Sequence, residues 1–369
     1  MLFFRYAPRH LGLDFLRALA IAMVFVGHGI TLHGLPILGE LGTGVDLFFV
    51  LSGFLIGRIY FRSLRDGTFT LWSFWQARWW RTLPPYFAAL ALYAIAMRRI
   101  PNEPVAGSYA LFIQNYCGII GFNASWSLCV EEHFYVLFPL LGAIVGRTLG
   151  VGAFGWLLPA AFVAPTALRA ATLAATGELP AGWFWMTHLH CEGLVAGVWM
   201  AYVKVERPER FQRLLPLARK LAPLIPCLLF VLPLWPDRDA WINVWVFTLL
   251  AIGYAAWLRI ALSWQWQPGG AATRSLVRVV QAAAVSSYSI YLTHSLSFAV
   301  FRSLVDSWPR GVAKTGFILG SSLAVAWLFY LLIEQTTLVL RDRFVHRSPT
   351  SNDDLVVVPQ RAWSSAGSA

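Results

Sequence analysis

Arg17 and His28 stand eleven residues apart in one apolar stretch, Gly12 to Leu32, that is long enough to cross a bilayer. Eleven residues are close to three helical turns, so both side chains lie on one stripe, about 16 Å apart along the axis. An ionisable group at membrane depth is costly and marks function by default. An imidazole at one end and a guanidinium at the other fit a proton-transferring centre reached from both sides of the membrane. The plain alternative is positional: Arg17 obeys the positive-inside rule and His28 snorkels to the far interface. Asp14 shares this helix, three residues before Arg17.

Three more stretches carry chemistry. In GVDLFFVLSGFLIG (Gly44–Gly57), Asp46 opens the second helix, where a carboxylate either orients a histidine such as His28 or caps the helix N-terminus. Ser52 and Gly53 are small enough to allow close helix contact. In FWQARWWRTLPPYF, Arg78 and Arg81 project from one face of a turn. Their planar forks suit phosphates, although an inner loop is rich in arginine anyway. In WSLCVEEHFYVL (Trp126–Leu137), Glu131 and Glu132 lie about a turn into an apolar helix. Glu131 is expected to face His28 and form with it a general base for a hydroxyl; the plain alternative, which fits Glu132 better, is that one glutamate helps the helix N-terminus and the other is exposed at the interface. His188, His190, Glu192, His294 and Glu334 are the other ionisable groups expected at membrane depth. On a helix His188 and His190 would point about 200° apart and could not share an ion, so no metal is expected. Cys117, Cys129, Cys191 and Cys227 have no ligand spacing and read as buried thiols.

The elements that must hold these groups follow from composition. Of 369 residues, 58% are hydrophobic and only 13% charged, with a mean hydropathy of +0.60, which excludes an ordinary soluble domain. The 18 tryptophans fit membrane interfaces. Apolar runs at 13–33, 44–60, 83–97, 126–146, 149–173, 183–203, 217–234, 241–258, 285–304 and 316–337 predict ten crossings, with 108–120 as a re-entrant or interfacial piece. The net charge of +11 divides accordingly. With both termini cytoplasmic, inner loops collect most of the Lys and Arg, while the outer side holds only Arg98, Arg99, Arg169, Arg238, Arg302, Arg310 and Lys314. That distribution fits membrane orientation and not a nucleic-acid partner. The fold expected is an all-α polytopic membrane protein, with a transmembrane domain over 1–347 and a small, polar, disordered tail over 348–369. Arg5 and Arg9 precede a first helix with no small-residue cleavage site, which predicts an anchor and not a removed signal. No internal repeat is evident.

In order, the chain carries DFLRALAIAMVFVGH, GVDLFFVLSGFLIG, the Arg78–Arg81 pair, SWSLCVEEHFYVLFPLL and SSYSIYLTHS. That ordered set resembles the integral-membrane acyltransferase family 3, whose members move acyl groups, usually acetyl, onto extracytoplasmic glycans. The resemblance implies acyl-CoA, usually acetyl-CoA, as the cytoplasmic donor, a glycan or glycolipid acceptor, no metal, and a bacterial inner-membrane location. It implies His28 as the essential histidine, Glu131 as the glutamate working with it, and Arg17, Arg78 and Arg81 as the arginines holding the CoA end. Asp46, Ser52, Trp126, Ser127, Glu132, Tyr291 and His294 fall within the matching stretches as substrate or supporting residues. Two positions depart from the family: His190 replaces a frequent arginine two before Glu192, and Glu334 is followed by Gln335 and Thr336, not by an E-R-P-like run. A rival of another class is a proton-coupled transporter or flippase using His28 and Glu131 as a relay. The absence of a repeat and of paired broken helices counts against it.

Overall fold

The computed structural model of the chain describes residues 10–30, 36–96, 103–119, 121–234, 240–264, 269–309 and 311–344. Among these there is no strand. In chain order the helices are α1 (Leu11–Ile30), α2 (Gly44–Arg65), α3 (Leu71–Ala96), α4 (Glu103–Ala110), α5 (Gln114–Cys117), α6 (Ser125–Thr148), α7 (Phe154–Thr176) and α8 (Glu192–Glu206). They continue with α9 (Pro208–Leu221), α10 (Leu224–Val231), α11 (Ala240–Ala261), α12 (Ala271–Val285), α13 (Ser287–Leu304), α14 (Val312–Phe329) and α15 (Gln335–Phe344). A π-turn, Tyr330–Glu334, joins the last two.

Seven helical stretches among the described residues are long and apolar enough to cross a membrane: Leu11–Gly29, Glu40–Arg65, Ser125–Thr148, Val151–Thr176, Pro208–Val231, Ala240–Ala261 and Val312–Arg341. The expected crossings at 83–97, 183–203 and 285–304 fall outside this set, each for a reason visible in its residues. α3 is long, but begins at Leu71 and takes in Arg78, Arg81 and Thr82, so the arginine pair lies on a helix and not in a loop. The 183–203 run is no single helix, because residues 183–189 form two short 3-10 turns and α8 starts only at Glu192. α13 is rich in Ser and Thr, since its polar groups face the protein interior. The stretch 108–120 contains the end of α4 and all of α5, and Gln114 and Asn115 donate to the carbonyls of Ser125 and Trp126 at the start of α6, at 3.2 and 2.8 Å.

α1 is the hub, touching α2, α11, α12, α13 and α14. On one side its Ile21, Val24 and Phe25 share a core with Tyr86, Leu128, Leu292 and Phe298; on the other its Leu13, Leu16 and Met23 pack with Leu47, Leu250 and Leu258. Large apolar side chains such as Trp156, Phe230 and Leu328 point outward, as lipid contact requires. α2 and α8 run side by side at backbone contact: a Cβ at Gly53 would lie 2.0 Å from the Leu194 carbonyl oxygen, and one at Gly197 2.2 Å from that of Val50. Small residues are how membrane helices approach this closely. Gly53→Val is therefore expected to destabilise the purified protein at the upper end of the about 1–3 kcal/mol typical of overpacking. Thermal unfolding in detergent measures it.

Some expectations need correction. Cys117 and Cys227 are exposed, leaving Cys129 buried and Cys191 partly so. Arg169, counted with the outer charges, is fully buried. Residues 31–33 of the first crossing, the tail from 348, and Arg5, Arg9, Arg98, Arg99, Arg238, Arg310 and Arg347 lie outside the described residues.

Candidate functional site

Near the last turn of α1, His28 faces a cavity of about 600 Å³ lined by Ser295, Phe298, Ala299, Arg302 and Ser303 of α13 and by Asp306 in the turn after it. Apart from Phe298, these positions repeat at helical spacing and form one mostly polar stripe leading away from the imidazole. His28 itself is exposed to this space. Its ring lies nearly parallel to that of His294, with centroids 5.1 Å apart, and His28 Nδ1 lies 3.1 Å from His294 Nε2.

The proton positions follow from the partners. His294 Nδ1 is 2.7 Å from the carbonyl oxygen of Tyr291, an acceptor only, so Nδ1 carries the hydrogen. In the neutral ring His294 Nε2 is then an acceptor, and it also takes the Ser295 hydroxyl at 3.1 Å. The bond between the two histidines therefore requires His28 Nδ1 to donate. That leaves His28 Nε2 with its lone pair free, as a general base requires. His294 is fully buried and held by the helix that bears it, so the tautomer is set by a rigid group.

The carboxylate expected beside His28 is used elsewhere. Asp46 Oδ1 lies 2.8 Å from Nε2 of His190, whose Nδ1 is 2.7 Å from the Phe184 carbonyl. Asp46 does orient a histidine, but a different one, and it does not act as the N-cap of α2, a position that belongs to Thr43. The His190 ring is sandwiched by Phe247, with centroids 3.6 Å apart, and Trp126, at 5.5 Å. Just below, the buried Arg169 pairs with Glu192 at 2.5 Å and donates to the carbonyls of Leu189 and Val244. These two pairs pin the non-helical run before α8 against α2 and α11, which is why no helix forms there. His188 and His190 thus do not share a helix, and the angular argument against a shared ion lapses. Among the described residues no group of His, Cys, Asp or Glu is arranged to hold a metal.

A third cluster lies between α2, α3, α6 and α13. Around Glu131 stand the hydroxyls of Ser52 and Tyr135, which bond each other, and the guanidinium groups of Arg78 and Arg81. Arg78 also lies over the Tyr135 ring, 4.7 Å from its centroid. Glu132 is buried and accepts the Thr82 hydroxyl at 2.8 Å, so of the two plain places open to it, exposure at the interface is ruled out. Glu334, in the π-turn, accepts Ser289 at 2.5 Å and acts on Arg81. Glu131 lines a small cavity of about 60 Å³ with Phe48, Ser127, Tyr288 and Tyr291. No hydrogen bond or ion pair joins it to His28. The link is Tyr291, whose hydroxyl bonds Ser127 at 2.5 Å in that cavity while its carbonyl holds His294. Arg17 completes the set, half-buried and 3.9 Å from Asp14.

A family model described as "Acyltransferase domain", acyltransferase 3, matches residues 10–331. The chain belongs to the acyltransferase 3 family. The relatives include the O-acetyltransferase OatA of Staphylococcus aureus strain NCTC 8325, 31% identical over 162 residues, a match covering 37% of this chain and 25% of the relative. OatA of strain COL matches to the same extent. The chain thus spans a quarter of the length of these curated relatives. No solved structure matches.

In this acyltransferase 3 chain, one matched stretch puts His28 on α1 and another puts His294 on α13, and the structure brings the two into one site. Asp46 and Trp126 meet at His190. Ser52, Arg78, Arg81, Glu131 and Glu132 meet in the third cluster. What sequence spacing missed was the partner of His28. The available signal was a histidine placed among Ser287, Ser289, Thr293, Ser295 and Ser297, a concentration of polar residues on a helix otherwise read as a crossing.

Proposed function

We propose that this chain is a membrane O-acyltransferase that moves an acyl group, acetyl by preference, from cytoplasmic acyl-CoA to a hydroxyl of an extracytoplasmic glycan or glycolipid. The observation that carries this reading is the contact of His28 Nδ1 with His294 Nε2, which leaves the other ring nitrogen of His28 to serve as a base beside the cavity. That cavity lies within the about 300–1,000 Å³ usual for ligand pockets, and Arg302, Ser303 and Asp306 offer the donors and acceptors that a sugar ring needs. His28 Nε2 takes the proton of the acceptor hydroxyl while its oxygen bonds to the thioester carbonyl. As the carbon–sulfur bond breaks, the departing thiolate takes that proton, which restores the base.

On the donor side, Arg78, Arg81 and Arg17 mark the path of the CoA end. Support for this comes from Arg78, whose Nε is buried without a hydrogen-bond partner. Glu131 acts there, its charge facing the two arginines while its side chain lines the small cavity shared with Tyr291. The reading places both termini in the cytoplasm and the chain in a bacterial inner membrane, with α3, α8 and α13 completing ten crossings.

The test uses membranes with the chain expressed, supplied with labelled acetyl-CoA, followed by mass spectrometry of surface glycan. One acetyl mass added per modified sugar, dependent on the donor, is the expected result. Glycan unchanged by donor, with substrate flux that needs no acyl-CoA, would instead identify a transporter.

A further inference from the structure

A separate cluster of cations stands at the opposite end of the bundle from His28. Arg58 and Arg62 lie one turn apart on α2. Lys204 reaches toward them from α8, over the rings of Phe54 and Phe211, 5.7 Å from each centroid. Arg259 of α11 closes the wall, its Nε donating to the Phe211 carbonyl at 2.9 Å and a terminal nitrogen to Gln212. His10, just before α1, feels the charges of Lys204 and Arg58.

An excess of arginine at one membrane face is ordinary. A buried arginine without an acid is not. Arg58 is only 5% exposed, yet its guanidinium makes no hydrogen bond or ion pair with any described residue. The charge acting on it is that of Arg62, and those acting on Lys204 are Arg58, Arg62 and Arg259, all of one sign. Asp66, whose charge acts on Arg62, lies 3.5 Å from Arg65. The contrast with Arg78 and Arg81 is direct, since that pair is matched by Glu131, Glu132 and Glu334. A largely buried guanidinium that meets other cations and no carboxylate is unfavourable until an anion supplies charge and lone pairs. A planar fork beside an ammonium group matches phosphate oxygens in shape and charge.

We propose that Arg58 and Lys204, at the meeting of α1, α2, α8 and α11, form a binding site for a phosphate group. Two molecules bring one to this face: the nucleotide end of coenzyme A, a source that rests on the donor reading above, and the headgroup of an anionic phospholipid, which does not. The pair differs from the donor path along Arg17, Arg78 and Arg81 in lying on the α2–α8 side of the bundle.

The experiment measures binding of free coenzyme A, and separately of phosphatidylglycerol against phosphatidylcholine vesicles, to the purified full chain and its variants. Arg58→Gln and Lys204→Gln are each expected to weaken one of these probes by roughly tenfold or more, the loss of a charge-assisted contact. Weakened coenzyme A with unchanged lipid binding assigns the site to the donor; the reverse assigns it to the headgroup. Arg210→Gln, an exposed charge on α9, should leave both unchanged. Wild-type affinity for both probes in both variants would overturn the site, as would an equal loss in Arg210→Gln. Lys204 is less buried than Arg58, so its variant carries the test if Arg58→Gln fails to fold. Binding of free coenzyme A needs no acyl transfer, so failure here leaves the role of His28 standing, and loss of transfer on changing His28 leaves this site standing.

Discussion

His28→Asn should lower donor-dependent acetyl transfer by about 100- to 10,000-fold at matched expression, the usual contribution of a general base. Asparagine is the informative replacement. Its amide N–H can still donate toward His294 Nε2, as His28 Nδ1 does, so the packing of α1 against α13 is retained. What it cannot provide is a lone pair at the Nε2 position, where the acceptor proton must go. His28→Gln would place a polar atom nearer that position, but an amide oxygen is far too weak a base to replace imidazole. Thermal unfolding of both variants near that of the wild type, with transfer lost, separates chemistry from folding. Full transfer by His28→Asn would remove imidazole from the reaction and with it the proposed mechanism. The assay needs only membranes, labelled donor and surface glycan.

His294→Asn should lower kcat by about 10- to 100-fold with little change in KM for either substrate, the typical cost of losing the partner that orients a working histidine. The physical reason is the chain of single-donor contacts. The Tyr291 carbonyl fixes the hydrogen on His294 Nδ1, this leaves His294 Nε2 as acceptor, and that fixes the hydrogen on His28 Nδ1. Asparagine keeps the bond to Tyr291 but offers nothing to His28, which is then free to put its hydrogen on Nε2 and lose its base. His294→Gln, whose longer amide can place an oxygen near the former Nε2, is expected to recover part of the rate. Nitrogen-15 spectra of labelled histidine give an independent readout: one tautomer for His28 in the wild type and a mixture in His294→Asn. A purely structural role for His294 would move the unfolding temperature of both variants alike and leave the His28 tautomer single. That result would sink the assignment.

Much of the site was legible as spacing. The eleven-residue separation of Arg17 and His28 put them on one face of α1, and the depth of Glu131 in an apolar helix marked it as needing partners. Asp46 also announced itself as a carboxylate placed to orient a histidine. Each partner choice, however, was misjudged. Asp46 serves His190, Glu131 serves the arginines of α3, and His28 is served by a histidine 266 residues away in sequence. Spacing also gave no warning of Arg58, which reads as one more inner charge until its burial is known.

What the sequence by itself determined is the helical make-up of the described residues, the hydropathy that suits them to a membrane, and the set of side chains that share each helix face. These are consequences of hydropathy and of a helical repeat that acts within a few residues. Tertiary structure alone decided which faces meet. The rotation and depth of each helix depend on contacts such as Gly53 with Leu194 and Gly197 with Val50, where the lack of a side chain lets backbones touch. Such contacts sum over residues far apart in the chain, and no local repeat encodes them. The 183–191 run shows the same division: apolar enough to read as helix, it is held open by Asp46–His190 and Arg169–Glu192, two pairs that exist only once α2, α7 and α8 have come together.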